Sequence, residues 1–113
     1  MIKFNLKSTN LDITPSLENY FETKIGGLER FLKHWSKEGA VEVWAELART
    51  TKHHHKGDVF RAELDVRLPG KILRAEAKAE DARRAIDLSR VKMLGEIKKY
   101  KTKILKSRYL NRV

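Results

Sequence analysis

Asp81-Ala82-Arg83-Arg84-Ala85-Ile86-Asp87-Leu88-Ser89-Arg90-Val91-Lys92-Met93-Leu94-Gly95-Glu96-Ile97 reads as the start of a long amphipathic helix. Asp81 offers a capping carboxylate. Ala82, Ile86, Ser89, Met93 and Ile97, continued by Tyr100 and Ile104, fall within about 40° of one direction at about 100° per residue. Such a stripe must be buried, and the preceding chain supplies the surface. Leu73, Ala75, Ala77 and Ala79 alternate with polar residues, as do Phe60, Ala62, Leu64, Val66 and Leu68, and before them Val41, Val43, Ala45 and Leu47. These three strands form a meander, with Pro69-Gly70 closing the last hairpin and a polar connection from Thr50 to Asp58 in the other. Further out, Ile2, Phe4 and Leu6 alternate with Lys3, Asn5 and Lys7 as a first strand. Thr14-Pro15 pairs a capping hydroxyl with a proline at the first helical position. Leu17, Tyr20/Phe21, Ile25, Leu28 and Phe31/Leu32 then make the buried stripe of an earlier helix ending before Gly39. Gly26-Gly27 interrupts that helix at roughly 1 kcal/mol each relative to alanine, so the sequence predicts strain there or a close approach to the backbone.

The order is βαβββα: an α+β domain with two helices packed on one face of a four-stranded sheet. The 113 residues suit one domain, placed over residues 1–106, with residues 107–113 as a frayed basic tail that has little to bury. The absence of cysteine excludes a disulfide framework and a thiolate metal site and fits a reducing cytoplasm. No run approaches the roughly 20 apolar residues of a membrane span, so no membrane partner is expected.

The charge is unevenly distributed. Residues 1–82 carry 14 basic and 13 acidic side chains (+1), whereas residues 83–113 carry 11 basic residues against Asp87 and Glu96 (+9). A net charge of +10 on so small a body favours an anionic polymer, and its concentration on the last helix points to RNA phosphate. On that helix Arg83, Arg90 and Lys101 project about 60 to 80° from the buried stripe, with Lys98 and Arg84 further round, while Lys92 and Lys99 flank the other side. The earlier helix adds Lys24, Arg30 and Lys33, although Glu18, Glu22 and Glu29 lie near enough to pair with them. The outer sheet face is read as a mixed-charge lattice with Trp44 as its one aromatic, packed across strands against Arg61 or Arg67. That is too few aromatics for a module that stacks bases on its strands.

Lys52-His53-His54-His55-Lys56 is conspicuous but makes a poor metal site, because adjacent imidazoles on a loop do not share one tetrahedral face. It is read as a solvated loop, with RNA contact below about pH 6.5 as the alternative. No glycine-rich phosphate loop, metal-spaced cluster or nucleophile elbow appears, so neither an enzyme, a cofactor nor a small-molecule substrate is expected.

Asn10-Leu11-Asp12-Ile13-Thr14-Pro15, Leu28-Glu29-Arg30, Leu68-Pro69-Gly70-Lys71-Ile72-Leu73-Arg74-Ala75-Glu76-Ala77 and Ala85-Ile86-Asp87-Leu88 with Ile97-Lys98-Lys99-Tyr100-Lys101 together resemble the ribosome hibernation-promoting factor family, over about residues 1–105. The resemblance implies a stationary-phase, stress-response protein in the messenger and transfer RNA channel of the small ribosomal subunit, contacting its rRNA and blocking translation. The chain departs from the family pattern in three places. Arg83 stands where members commonly have an aromatic, and Gly27 and Gly95 fall where basic residues are frequent, so Arg83, Arg84 and Arg90 are expected to replace two RNA contacts. The chain is expected to be the short type, a monomer without the C-terminal dimerisation domain of long members. The rival reading is a generic binder of structured RNA, similar to the double-stranded-RNA-binding domain, whose usual lysine cluster at the second helix meets Glu80-Asp81 here.

Overall fold

The computed structural model describes residues 2–38, 41–50 and 57–111. Its elements are β1 (Lys3–Thr9), α1 (Pro15–Gly26), α2 (Glu29–Glu38), β2 (Glu42–Arg49), β3 (Phe60–Leu68), β4 (Lys71–Ala79) and α3 (Ala82–Asn111). The strands lie in the order β1-β2-β3-β4, with β1 parallel to β2 and the remaining pairs antiparallel. A two-residue loop suffices for the β3–β4 hairpin, whereas the parallel β1–β2 pair needs the helical crossover that α1 and α2 provide. Gly70 turns that hairpin with φ of 73°, a backbone region that glycine enters without steric cost.

Period two decides the faces. Val43, Ala45 and Leu47, then Ala62, Leu64, Val66 and Leu68, then Leu73, Ala75, Ala77 and Ala79 are buried under the helices. Phe4 and Leu6 on the edge strand are only half-buried. Each fully buried aliphatic or aromatic side chain contributes about 1.5–3 kcal/mol, so this single cluster dominates stability.

The earlier helix, read from the sequence as one element interrupted at Gly26-Gly27, divides there into α1 and α2. The Leu28 amide donates to the Ile25 carbonyl at 2.9 Å and the Phe31 amide to the Leu28 carbonyl at 3.0 Å, tighter bonds than those of an α-helix. Two residues of poor helix propensity make that break cheap, and the apolar face survives it. Phe21, Ile25, Leu28, Leu32 and Trp35 are all buried at alternating spacings of four and three. Trp35 extends the stripe beyond the sequence reading and stacks on Tyr100, ring centroids 5.8 Å apart. Thr14 caps α1 as expected, its Oγ1 accepting from the Leu17 amide at 3.1 Å.

In α3 the stripe is where the phasing puts it: Ala82, Ile86, Ser89, Met93 and Ile97 are buried. Ser89 satisfies its hydroxyl by donating to the Ile86 carbonyl at 2.8 Å. The Arg84 amide donates to the Asp81 carboxylate at 3.3 Å, which confirms the cap. Helical backbone continues through Asn111, where the sequence places a frayed tail from residue 107. No glycine or proline follows Gly95, and Lys, Leu and Arg are good helix formers, so local propensity favours the continued helix. Leu105, in this last stretch of the helix, is 56% exposed. Gly39, His53, His54, His55 and residues 112–113 lie outside the described residues.

Candidate nucleic-acid interface

α3 packs over β3 and β4 and meets α1 and α2 along one flank, leaving its other flank toward the open edge of β4. The flank facing α1 and α2 is an interleaved series of cations and aromatic rings. At its start the Arg83 guanidinium lies 5.2 Å from the Tyr20 ring centroid and donates to Ser16 Oγ at 3.0 Å. The Tyr20 hydroxyl donates to Asp87 Oδ1 at 2.7 Å, and Lys24 stands 3.6 Å from the same oxygen and 5.3 Å from the Tyr20 ring. The bond to Asp87, helped by burial, raises the Tyr20 pKa above its ordinary 10.0.

One turn on, Arg90 Nε donates to the Lys24 carbonyl at 3.0 Å, close to the C-terminus of α1, where a cation also complements the helix dipole. Its Nη2 lies 3.0 Å from where a Cβ on Gly27 would sit. The approach that the glycine pair predicts is therefore made by an arginine of the protein itself. Further along, two cations approach Phe31, the Arg30 guanidinium at 4.7 Å and Lys98 Nζ at 5.6 Å from the ring centroid. Tyr100 carries Lys71 Nζ at 5.8 Å.

The nine residues picked from sequence thus do not form one patch. Arg83, Lys24, Arg90, Arg30 and Lys98 come together along the α1/α2 flank, and Lys101 is exposed one helical turn beyond Lys98. Lys92 lies on the opposite flank, its Nζ donating to the Glu76 carbonyl of β4 at 3.0 Å, and Lys99 is exposed. Arg84 lines a shallow depression with Asp58, Lys78 and Glu80. Two of these cations also make contacts within the protein. Arg90 is a tether between α3 and α1 as well as a surface cation, and Lys92 is engaged by the sheet edge. Tyr20 and Phe31 were missed because they look like core residues. The signal lay in the doublets Tyr20/Phe21 and Phe31/Leu32, since only one member of an adjacent apolar pair fits a single stripe.

The outer sheet face neutralises itself. Arg61 reaches Glu46 and Glu63 at 2.6 Å each and Glu76 at 3.4 Å. Trp44 lies under the Arg67 guanidinium at 4.6 Å, the cross-strand use expected of it, and donates to Glu42 at 3.0 Å. Asp65, in register with Trp44, has its pKa raised by burial, against the lowering effect of Arg74. The uncompensated charge is on the helical side. Among the described residues no three His, Asp or Glu side chains converge to hold a metal, and no helix is long and apolar enough to cross a membrane.

A family model described as sigma 54 modulation protein / S30EA ribosomal protein matches residues 4–105. Ribosome hibernation promotion factors of Bacillus subtilis and Staphylococcus aureus are 31% and 33% identical over 103 and 104 residues, 91% and 92% of this chain. That of Lactococcus lactis is 34% identical over 106 residues. The chain spans about half the length of these curated relatives, 50 to 52%. The N-terminal domain of Thermus thermophilus Protein Y superposes with a TM-score of 0.69 at 28% identity, covering 88% of this chain and 99% of that one. A ribosomal subunit interface protein from Coxiella burnetii shares the fold, with a TM-score of 0.66 at 20% identity over 90% of this chain and 99% of its own.

Proposed function

The chain belongs to the sigma 54 modulation protein / S30EA ribosomal protein family, and on that premise we propose that it is a ribosome-binding hibernation factor acting on the small subunit. In this reading the helical side meets rRNA phosphate in the channel used by messenger and transfer RNA, so translation stops by occlusion. The protein acts in the cytoplasm as a monomer, stoichiometrically, without catalysis or cofactor. The observation that carries the reading is the segregation of charge. Carboxylates on the sheet are taken up by Arg61, while the cations of α3 have only Asp87 and Glu96 within their own helix to balance them. A surface of that kind gains by releasing counterions from a polyanion.

Binding to purified small subunits should accordingly fall steeply with salt, by about a thousandfold between roughly 50 and 200 mM if about six phosphates are met. Reversing the exposed Arg84, Lys98, Lys99 and Lys101 to glutamate should abolish binding and leave the circular dichroism spectrum intact. Arg90 is left out of that set because its reversal would also cut the tie to α1. Prebound messenger and initiator transfer RNA should compete with the protein, and inhibition of cell-free translation should saturate near one protein per ribosome. Inhibition at far lower ratios with cleaved rRNA would mean an enzyme instead.

A further inference from the structure

We infer that the recess at the α1–α2 break is a subsite for a single backbone phosphodiester of the bound RNA, and that Gly27 is the positioning residue that admits Arg90 to it. The inference rests on the RNA-binding reading above and adds a site to it. The recess has a volume of about 430 Å³ and is lined by Gly26, Gly27, Glu29, Arg30, Lys33 and Arg90. Three cations against one carboxylate leave it net positive. Some cations are taken up by the protein's own acids, as Arg61 is by three glutamates and Lys24 by Asp87. Among the described residues Arg30, Lys33 and Arg90 have no carboxylate within ion-pair distance.

Arg90 is also held in place. Nε is anchored on the Lys24 carbonyl at 3.0 Å, so the guanidinium is oriented before any ligand arrives, and its two Nη groups retain the donors that match phosphate oxygens. That pose lies hard against position 27, which has no side chain. Gly27 has an ordinary helical backbone, φ −65° and ψ −14°, which any residue could adopt. A Cβ there would stand 3.0 Å from Arg90 Nη2 and 3.4 Å from the Lys24 carbonyl oxygen, so the guanidinium would have to give by a few tenths of an ångström, against the bond that anchors its Nε. The glycine thus serves to make room for a cation delivered from α3, and the bare backbone of Gly26 beside it lets a ligand come close.

The test is a salt series of small-subunit binding by the wild type, Arg90→Gln, Arg30→Gln/Lys33→Gln, Gly27→Ala and the Gly27→Ala/Arg90→Gln double variant, each checked for folding by thermal melting. Loss of one phosphate contact lowers the slope of log K against log salt by about 0.7–0.9, so the deficit of Arg90→Gln should shrink about threefold between roughly 50 and 200 mM salt. Gly27→Ala should weaken binding in the wild-type background and add nothing once Arg90 is glutamine. An undiminished slope in Arg90→Gln, or additive effects of the two substitutions, would overturn the subsite while leaving RNA binding in place. Should Arg90→Gln fail to fold, the exposed Arg30→Gln/Lys33→Gln pair decides by the same slope. Salt-independent binding by the wild type would instead overturn the RNA reading and the subsite with it.

Discussion

Ile97→Ala tests the rotation of α3, on which every assignment of its cations depends. Ile97 is 1% exposed and belongs to the core between α3 and the sheet. The substitution removes three carbons, worth about 2.4 kcal/mol of transfer free energy at about 0.8 kcal/mol per methylene. A cavity of roughly 75 Å³ adds up to about 1.8 kcal/mol if nothing collapses into it, at about 24 cal/mol per Å³. The expected loss is therefore about 2.5–4 kcal/mol, read by urea denaturation at unchanged m-value, with a drop in melting temperature of about 10–20 °C. Leu94 is the control. It is half-buried and packs at the margin of the same cluster, so Leu94→Ala should cost about half as much. A larger loss at Leu94 than at Ile97 would show that the helix is rolled toward α1, carrying Arg83, Lys98 and Lys101 off the α1/α2 flank.

Three further outcomes are expected. Gly95→Ala should stabilise the protein by about 1 kcal/mol, since the site is exposed, inside α3 and has nothing within 4 Å of the added methyl, whereas Gly70→Ala should destabilise it because φ is 73° there; equal shifts in urea midpoint would contradict this. Asp65 is raised above 3.8 by burial, so its contribution favours folding below the ordinary carboxylate range and is lost as pH rises through the folded value. Asp65→Asn should therefore be more stable than wild type at neutral pH and no more stable in acid, as denaturation across pH would show; the ion pair lost with the exposed Arg74, at 3.6 Å, is worth little. Tyr20→Phe removes the 2.7 Å bond to Asp87 and should cost about 1 kcal/mol or less. Because the Tyr20 pKa is raised, its stabilisation is complete below 10.0 and is lost as pH climbs through the folded value; ultraviolet titration showing Tyr20 ionising at or below 10.0 would refute the role given to Asp87.

Some of this protein is written locally and some is not. Alternation in β2, β3 and β4 and the stripe from Ala82 to Ile97 were legible because burial on one face imposes the period of the element itself, two for a strand and 3.6 for a helix. The caps at Thr14 and Asp81 were legible for the same reason, since the donor and acceptor are three residues apart. So was the concentration of charge on α3, which is a property of composition.

Phase around a helix gives the direction of a side chain and not what waits across the gap. The sequence placed Arg90 about 60° off the stripe, and only the tertiary arrangement set the Lys24 carbonyl and the vacant side of Gly27 in its path. It offered Tyr20 or Phe21, and Phe31 or Leu32, and packing against α3 chose Phe21 and Leu32 for the core and left the other two beneath cations. It put Lys92 among the RNA-facing residues, and the proximity of β4 gave its ammonium a carbonyl. Apart from the contact of Phe31 with its neighbour Arg30, these are pairings between groups 16 to 67 positions apart in the chain. Periodicity is a short-range signal and carries no distance between elements, so these contacts were settled only when the helices closed over the sheet.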